Sequence, residues 1–72
     1  MKQTVDARGL SCPQPVLMAM QAMRTANSGN LEVLVDNEAS RENVARAARS
    51  QGFSVTVDEL ADGEFRLSLV KS

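Results

Sequence analysis

The sequence predicts a two-layer α/β sandwich, with elements in the order β-α-β-α-β-β and a four-stranded mixed sheet carrying two helices on one face. Three observations lead there. Several short segments alternate apolar and polar side chains, the period of a strand with one face buried and the other in water. Two longer stretches repeat their apolar residues at helical spacing. Gly, Pro, Asn and Asp stand between these segments as turn residues. A sheet with one wet face requires both helices to cover the other. The first crossover is long enough to join parallel strands, and the last two strands must form an antiparallel hairpin.

Gln3, Thr4 and Val5 begin the first strand, which ends near Asp6, and residues 7–11 form a loop. Cys12 and Pro13 open the first helix. Pro is favoured at a first helical position because its missing N–H would find no intrahelical acceptor there, and Pro15 still lies within the first turn. Val16, Ala19, Met20 and Met23 form the predicted core stripe, with Leu17 at its margin. Met18 falls on the other side, beside Gln14, Gln21 and Ala22. Asn27, Ser28, Gly29 and Asn30 supply the stop.

Leu31, Val33 and Val35 carry the second strand. Asp36, Asn37 and Glu38 then make a turn in which Asn37 or Ser40 is the expected N-cap of the second helix. That helix runs through Val44, Ala47 and Ala48 and stops at Gly52. Phe53, Val55 and Val57 alternate with polar residues in the third strand. Asp62-Gly63 marks a hairpin, and Phe65, Leu67 and Leu69 form the returning face.

Composition narrows the chemistry. The chain has 72 residues, so residues 1–72 are read as one domain, with one cysteine and no histidine. A lone cysteine excludes an intrachain disulfide and a cysteine-rich zinc site, and the lack of histidine removes every Cys–His or Ser–His nucleophile pair. No metal or cofactor is implied. A formal net charge of −1 gives no basic footprint for nucleic acid. No run approaches the roughly 18 apolar residues of a membrane span. The expected location is the cytoplasm, where a free thiol stays reduced.

The remaining chemistry centres on Cys12. A thiolate at a helix start meets the outward N–H groups and positive end of the helix dipole, which lowers thiol pKa. Arg8, four residues upstream, is a further source of positive potential, and Gly9 permits an unusual backbone conformation in the loop that delivers the cysteine. The competing reading is a buried cysteine acting as a small hydrophobe. Without a base, a second cysteine or a metal, a reactive thiol can carry sulfane sulfur as a persulfide, or sense oxidants through a mixed disulfide or sulfenic acid.

The segment Asp6-Ala7-Arg8-Gly9-Leu10-Ser11-Cys12-Pro13-Gln14-Pro15 resembles the D-x-x-G-L-x-C-P-x-P signature of the TusA/SirA/YedF sulfur-carrier family. Length and element order are similar too, so the resemblance covers essentially the whole chain. It implies a persulfide on Cys12, with Asp6, Gly9, Leu10, Pro13 and Pro15 as the positioning motif, to which Arg8 is added for its charge. It also implies a fold similar to the C-terminal domain of bacterial translation initiation factor three. The implied partners are a sulfur donor such as a cysteine desulfurase and an acceptor protein with a reactive cysteine.

The stretch from Val35 to Val44 looks most like the N-terminal domain of YedF-type proteins linked to selenium metabolism. There the domain precedes a DsrE-like domain, which points to a DsrE-like acceptor and leaves open whether residues 1–72 work alone. Where relatives often carry basic residues on the first helix, this chain has Met20 and Gln21, and no residue from Ser11 to Met23 is charged. Gln14 and Met18, with Asp36 and Asn37, are the candidate partner surface. For Met18 the alternative is packing, and for Asn37 it is capping alone. The second functional reading is a non-catalytic interaction domain docking through the uncharged first helix.

Overall fold

The computed structural model describes residues 3–10, 14–25 and 29–71. Strand β1 is Gln3–Asp6, helix α1 Gln14–Thr25, strand β2 Asn30–Val35, helix α2 Glu38–Ser50, strand β3 Phe53–Glu59 and strand β4 Phe65–Lys71. The sheet order is β1-β2-β4-β3. β1 pairs parallel with β2, placing Val5 opposite Val33, whereas β4 pairs antiparallel with both β2 and β3. The predicted architecture is therefore present, and β4 fills the centre of the sheet beside β2.

Register puts one apolar row under the helices. Leu31 and Val55 flank Leu69, and Val33 and Val57 flank Leu67. Leu31, Val33, Val35, Leu67 and Leu69 are all but fully buried. The helices answer with small residues, Ala19 and Ala22 from α1 and Ala45 and Ala48 from α2. Alanine lets a helix lie close to the sheet, so the larger core volume comes from the strands. The opposite sheet face is mostly polar, Leu34 and the exposed Val70 apart, and there Arg66 of β4 bridges Glu32 of β2 and Asp58 of β3 at 3.7 and 3.2 Å.

Asn37, rather than Ser40, caps α2: its side-chain oxygen accepts from the Ser40 N–H at 2.8 Å. That bond satisfies one of the first-turn donors that the helix itself leaves open. Gln51 and Gly52 close the other end, with Gly52 at φ +87°. Asn30 begins β2 rather than ending the turn before it, because it pairs with Val70.

The hairpin forms where Asp62-Gly63 predicted it. Both residues lie in the left-handed region, at φ 63° and 73°, as a type I′ turn requires. Leu60 N–H bonds Glu64 O while Glu64 N–H bonds Ala61 O, so two residues of one strand oppose one of the other. This bulge adds local twist at the hairpin tip.

The core face of α1 differs from the expected stripe. Its buried residues are Pro15, Ala19, Ala22 and Met23, while Val16 and Met20 are half-buried at the edge. Met18, predicted on the outer side, packs half-buried against the core, and Leu17 is 55% exposed. The helix carries apolar side chains around much of its circumference, so contact with the sheet decides which are buried. The expected helix start at Cys12 and Pro13, and the stop residues Asn27 and Ser28, lie outside the described residues.

Candidate functional site

The site begins with the chain leaving β1. Ala7 N–H bonds Leu34 O at 2.8 Å, extending the β1–β2 pairing by one residue before the chain turns away. Asp6 then makes an Asx-type turn. Its Oδ1 accepts from the backbone N–H of Arg8 at 3.2 Å. The Arg8 side chain folds back on the same carboxylate, with Nε 2.9 Å from Oδ1 and Nη2 2.8 Å from Oδ2. This is the planar two-point match that guanidinium and carboxylate favour.

The guanidinium beside Asp6 holds that carboxyl down at about 2, against an ordinary value of 3.8. The hydrogen bonds that Arg8 donates to the Asp6 side chain, followed by the one it donates to Glu64, push its own pKa further up. The third arm of Arg8, Nη1, lies 3.2 Å from Glu64 Oε1. Arg8 thus divides its charge between two carboxylates, and the positive potential that the sequence assigned to the loop is locally compensated.

Gly9 takes φ +79°, and a Cβ built there would meet nothing within 4 Å among the described residues. Glycine is required by backbone conformation at this position. Its N–H bonds Asp36 Oδ2 at 2.6 Å, and the other carboxylate oxygen of Asp36 accepts from Asn37 Nδ2 at 3.2 Å. Leu10 then packs half-buried against the core. Asp6, Arg8, Gly9 and Leu10 are therefore brought together in one braced loop, with Asp36 and Asn37 beside it.

Cys12 and Pro13 lie outside the described residues. Pro15 is fully buried in the first described turn of α1, and Gln14 is exposed. Met18 is half-buried against the core. It lines a shallow groove of about 330 Å³ between β1 and α1, together with Val5, Asp6, Gln21 and Ala22. The exposed apolar side chain of α1 is Leu17.

Glu64 was not singled out by the sequence, because its partner Arg8 is 56 positions away. Among the described residues no group of three or more His, Cys, Asp or Glu could hold a metal ion. No helix among them is long and apolar enough to cross a membrane.

A family model described as Sulfurtransferase TusA matches residues 3–71. The chain belongs to the TusA family. A protein of Methanocaldococcus jannaschii, named as a candidate sulfur carrier protein, is 35% identical over 68 residues, covering 93% of this chain and 91% of that protein. One of Archaeoglobus fulgidus, similarly named, is 37% identical over 68 residues, covering 92% of this chain and 87% of that protein. The crystal structure of a SirA-like protein from Desulfitobacterium hafniense superposes with a TM-score of 0.86 at 33% identity. It matches 94% of this chain and 95% of that one. TusA-family membership thus rests on nearly the full length of the chain, and the fold agrees with that of the SirA-like neighbour.

Proposed function

We propose that this TusA-family protein is a sulfur carrier whose Cys12 accepts sulfane sulfur as a persulfide and relays it to a cysteine on a partner. The observation that carries the reading is the family match together with a single cysteine inside the D-x-x-G-L-x-C-P-x-P motif. Asp6, Gly9, Leu10, Pro13 and Pro15 are the motif residues that position the thiol, together with Arg8. The braced loop supports this role, since a carrier needs its thiol presented in a reproducible place.

Both steps are thiol exchanges at sulfur. The Cys12 thiolate attacks the outer sulfur of a donor persulfide. A new S–S bond forms, the donor's S–S bond breaks, and the donor cysteine leaves as thiolate. Cys12 then carries the terminal persulfide anion. An acceptor thiolate attacks that terminal sulfur and Cys12 departs as thiolate. Electrons balance without an external oxidant or reductant. The missing second cysteine keeps the load from being discharged as an intrachain disulfide.

A cysteine desulfurase is the class of donor that fits, and a DsrE-like protein with a reactive cysteine the class of acceptor. The YedF-like segment from Val35 to Val44 favours a link to selenium metabolism. A reducing compartment such as the cytoplasm suits the free thiol.

The relay is tested by loading the protein with radiolabelled sulfur, removing the donor, and adding a DsrE-like acceptor. Label should move to the acceptor and fail to move to its Cys→Ser variant. Label that stays on the carrier, or is released only as free sulfide, contradicts the relay.

A second reading is favoured by one observation. Leu17 is 55% exposed on a helix with no charged residue from Gln14 to Met23, a face suited to partner docking. In a pure docking domain, Cys12→Ala would leave the partner's activity intact while Leu17→Glu would abolish it.

A further inference from the structure

We propose that Asp36 is a positioning residue for the Cys12 thiol, acting through the backbone of Gly9. The proposal rests on Cys12 being the working thiol, and Gly9 stands three positions before it in the sequence. After Ala7 the β1–β2 ladder ends; Arg8 N–H bonds back to Asp6 just before it, and the Gly9 N–H ties the loop backbone to the far end of β2, 2.6 Å from Asp36 Oδ2. A short bond from a backbone amide to a charged carboxylate is among the stronger hydrogen bonds available to a loop.

Asp36 is itself held on rigid elements. It follows directly on Val35, the last residue of β2, and its Oδ1 accepts from Asn37 Nδ2 at 3.2 Å. Asn37 Oδ1 in turn caps α2 through the Ser40 N–H. An unbroken chain of bonds therefore joins Gly9 to the end of the central sheet and the start of α2. Both oxygens of Asp36 are engaged inside the molecule, and the residue is half-buried. These contacts assign the carboxylate to holding the loop rather than to meeting a partner. Thiol pKa follows the charges and hydrogen-bond donors around the sulfur, so on this proposal a loop fixed at Gly9 sets the thiol pKa through the position it gives Cys12.

The test is the pH dependence of alkylation by iodoacetamide, which reads the thiol with no sulfur donor present. Failure here therefore leaves persulfide loading untouched as a separate question. Asp36→Asn keeps an oxygen that can accept from Gly9 N–H and should retain the wild-type midpoint. Asp36→Ala removes the acceptor, and Asp36→Glu keeps the charge but displaces it by one methylene. Both should raise the midpoint by about half a pH unit, leaving roughly threefold less thiolate at pH values below it. If Asp36→Ala does not fold, the comparison of Asp36→Glu with Asp36→Asn decides. A direct charge effect predicts a lower midpoint in both Asp36→Asn and Asp36→Ala. That pattern overturns the proposal, as does a midpoint unchanged in Asp36→Ala and Asp36→Glu while only the melting temperature falls.

Discussion

Arg8 Nη1 lies 3.2 Å from Glu64 Oε1, which ties the motif loop to the tip of the β3–β4 hairpin across 56 positions of sequence. The other two arms of the guanidinium hold Asp6. One residue therefore joins the end of β1, the loop and the hairpin.

Lysine cannot reproduce that bridge, because an ammonium lacks the planar fork that meets two carboxylates at once. Arg8→Lys should therefore resemble Arg8→Ala. In both, hydrogen exchange at the Gly9 and Leu10 amides should speed up on the order of several-fold, with little change at the buried strands β2 and β4. Exchange measured residue by residue by NMR checks this, and wild-type protection in Arg8→Lys would show that charge alone holds the loop.

Acid should release the Asp6 turn only at extreme pH. The folded carboxyl titrates at about 2, below its ordinary 3.8. A lowered folded value means that the pairing contributes stability above the ordinary value, and loses it as pH falls through the folded one. The loop is therefore expected to be unchanged from neutrality down to about pH 4 and to loosen towards pH 2. A carbon-detected NMR titration of the Asp6 carboxyl should give a midpoint near 2. A midpoint at or above the ordinary value would mean that the Arg8 bonds do not form in solution.

Gly9 and Gly29 should respond differently to alanine. At Gly9 the expected cost is backbone strain, about 1–2 kcal/mol, since no atom of the described residues crowds the new Cβ. At Gly29, with φ +75°, the Cβ would also lie 3.2 Å from Lys71 Cβ, so Gly29→Ala should be the more destabilising. Urea unfolding of the two variants gives the order. Gly9→Asn should be milder than Gly9→Ala, because asparagine tolerates the left-handed region better.

Core truncation should be far more costly than trimming the exposed helix face. Leu67 is fully buried, and Leu67→Ala is expected to lose about 2–5 kcal/mol. A domain of this size holds only about 3–5 kcal/mol in total, so that variant should be largely unfolded. Leu17→Ala should change stability by no more than about 0.5 kcal/mol. Circular dichroism during thermal unfolding distinguishes the two.

Element order was legible in the sequence because strand alternation, Asn37 capping and the Asp62-Gly63 turn are all local signals. The buried face of α1 was legible only in part. Ala19 and Met23 of the expected stripe are buried, but apolar residues at 16, 17, 18, 20 and 23 leave the helical period ambiguous, and Pro15 and Ala22 are buried where Val16 and Met20 were expected. The motif identified Asp6, Gly9 and Leu10, and charge singled out Arg8; the structure adds what Asp6, Arg8 and Gly9 bond and where Leu10 packs. Asp36–Gly9 and Arg8–Glu64 join residues 27 and 56 positions apart, and no local pattern reports such pairs. Cys12 and Pro13 rest on the motif alone.

The most direct test of sulfur carriage is the intact mass of the protein after incubation with a cysteine desulfurase and cysteine. The wild type should gain the mass of one sulfur atom, lose it to a thiol reductant, and fail to gain it as Cys12→Ala. A wild-type mass that stays unchanged, under conditions that load another TusA-family carrier, would contradict the account.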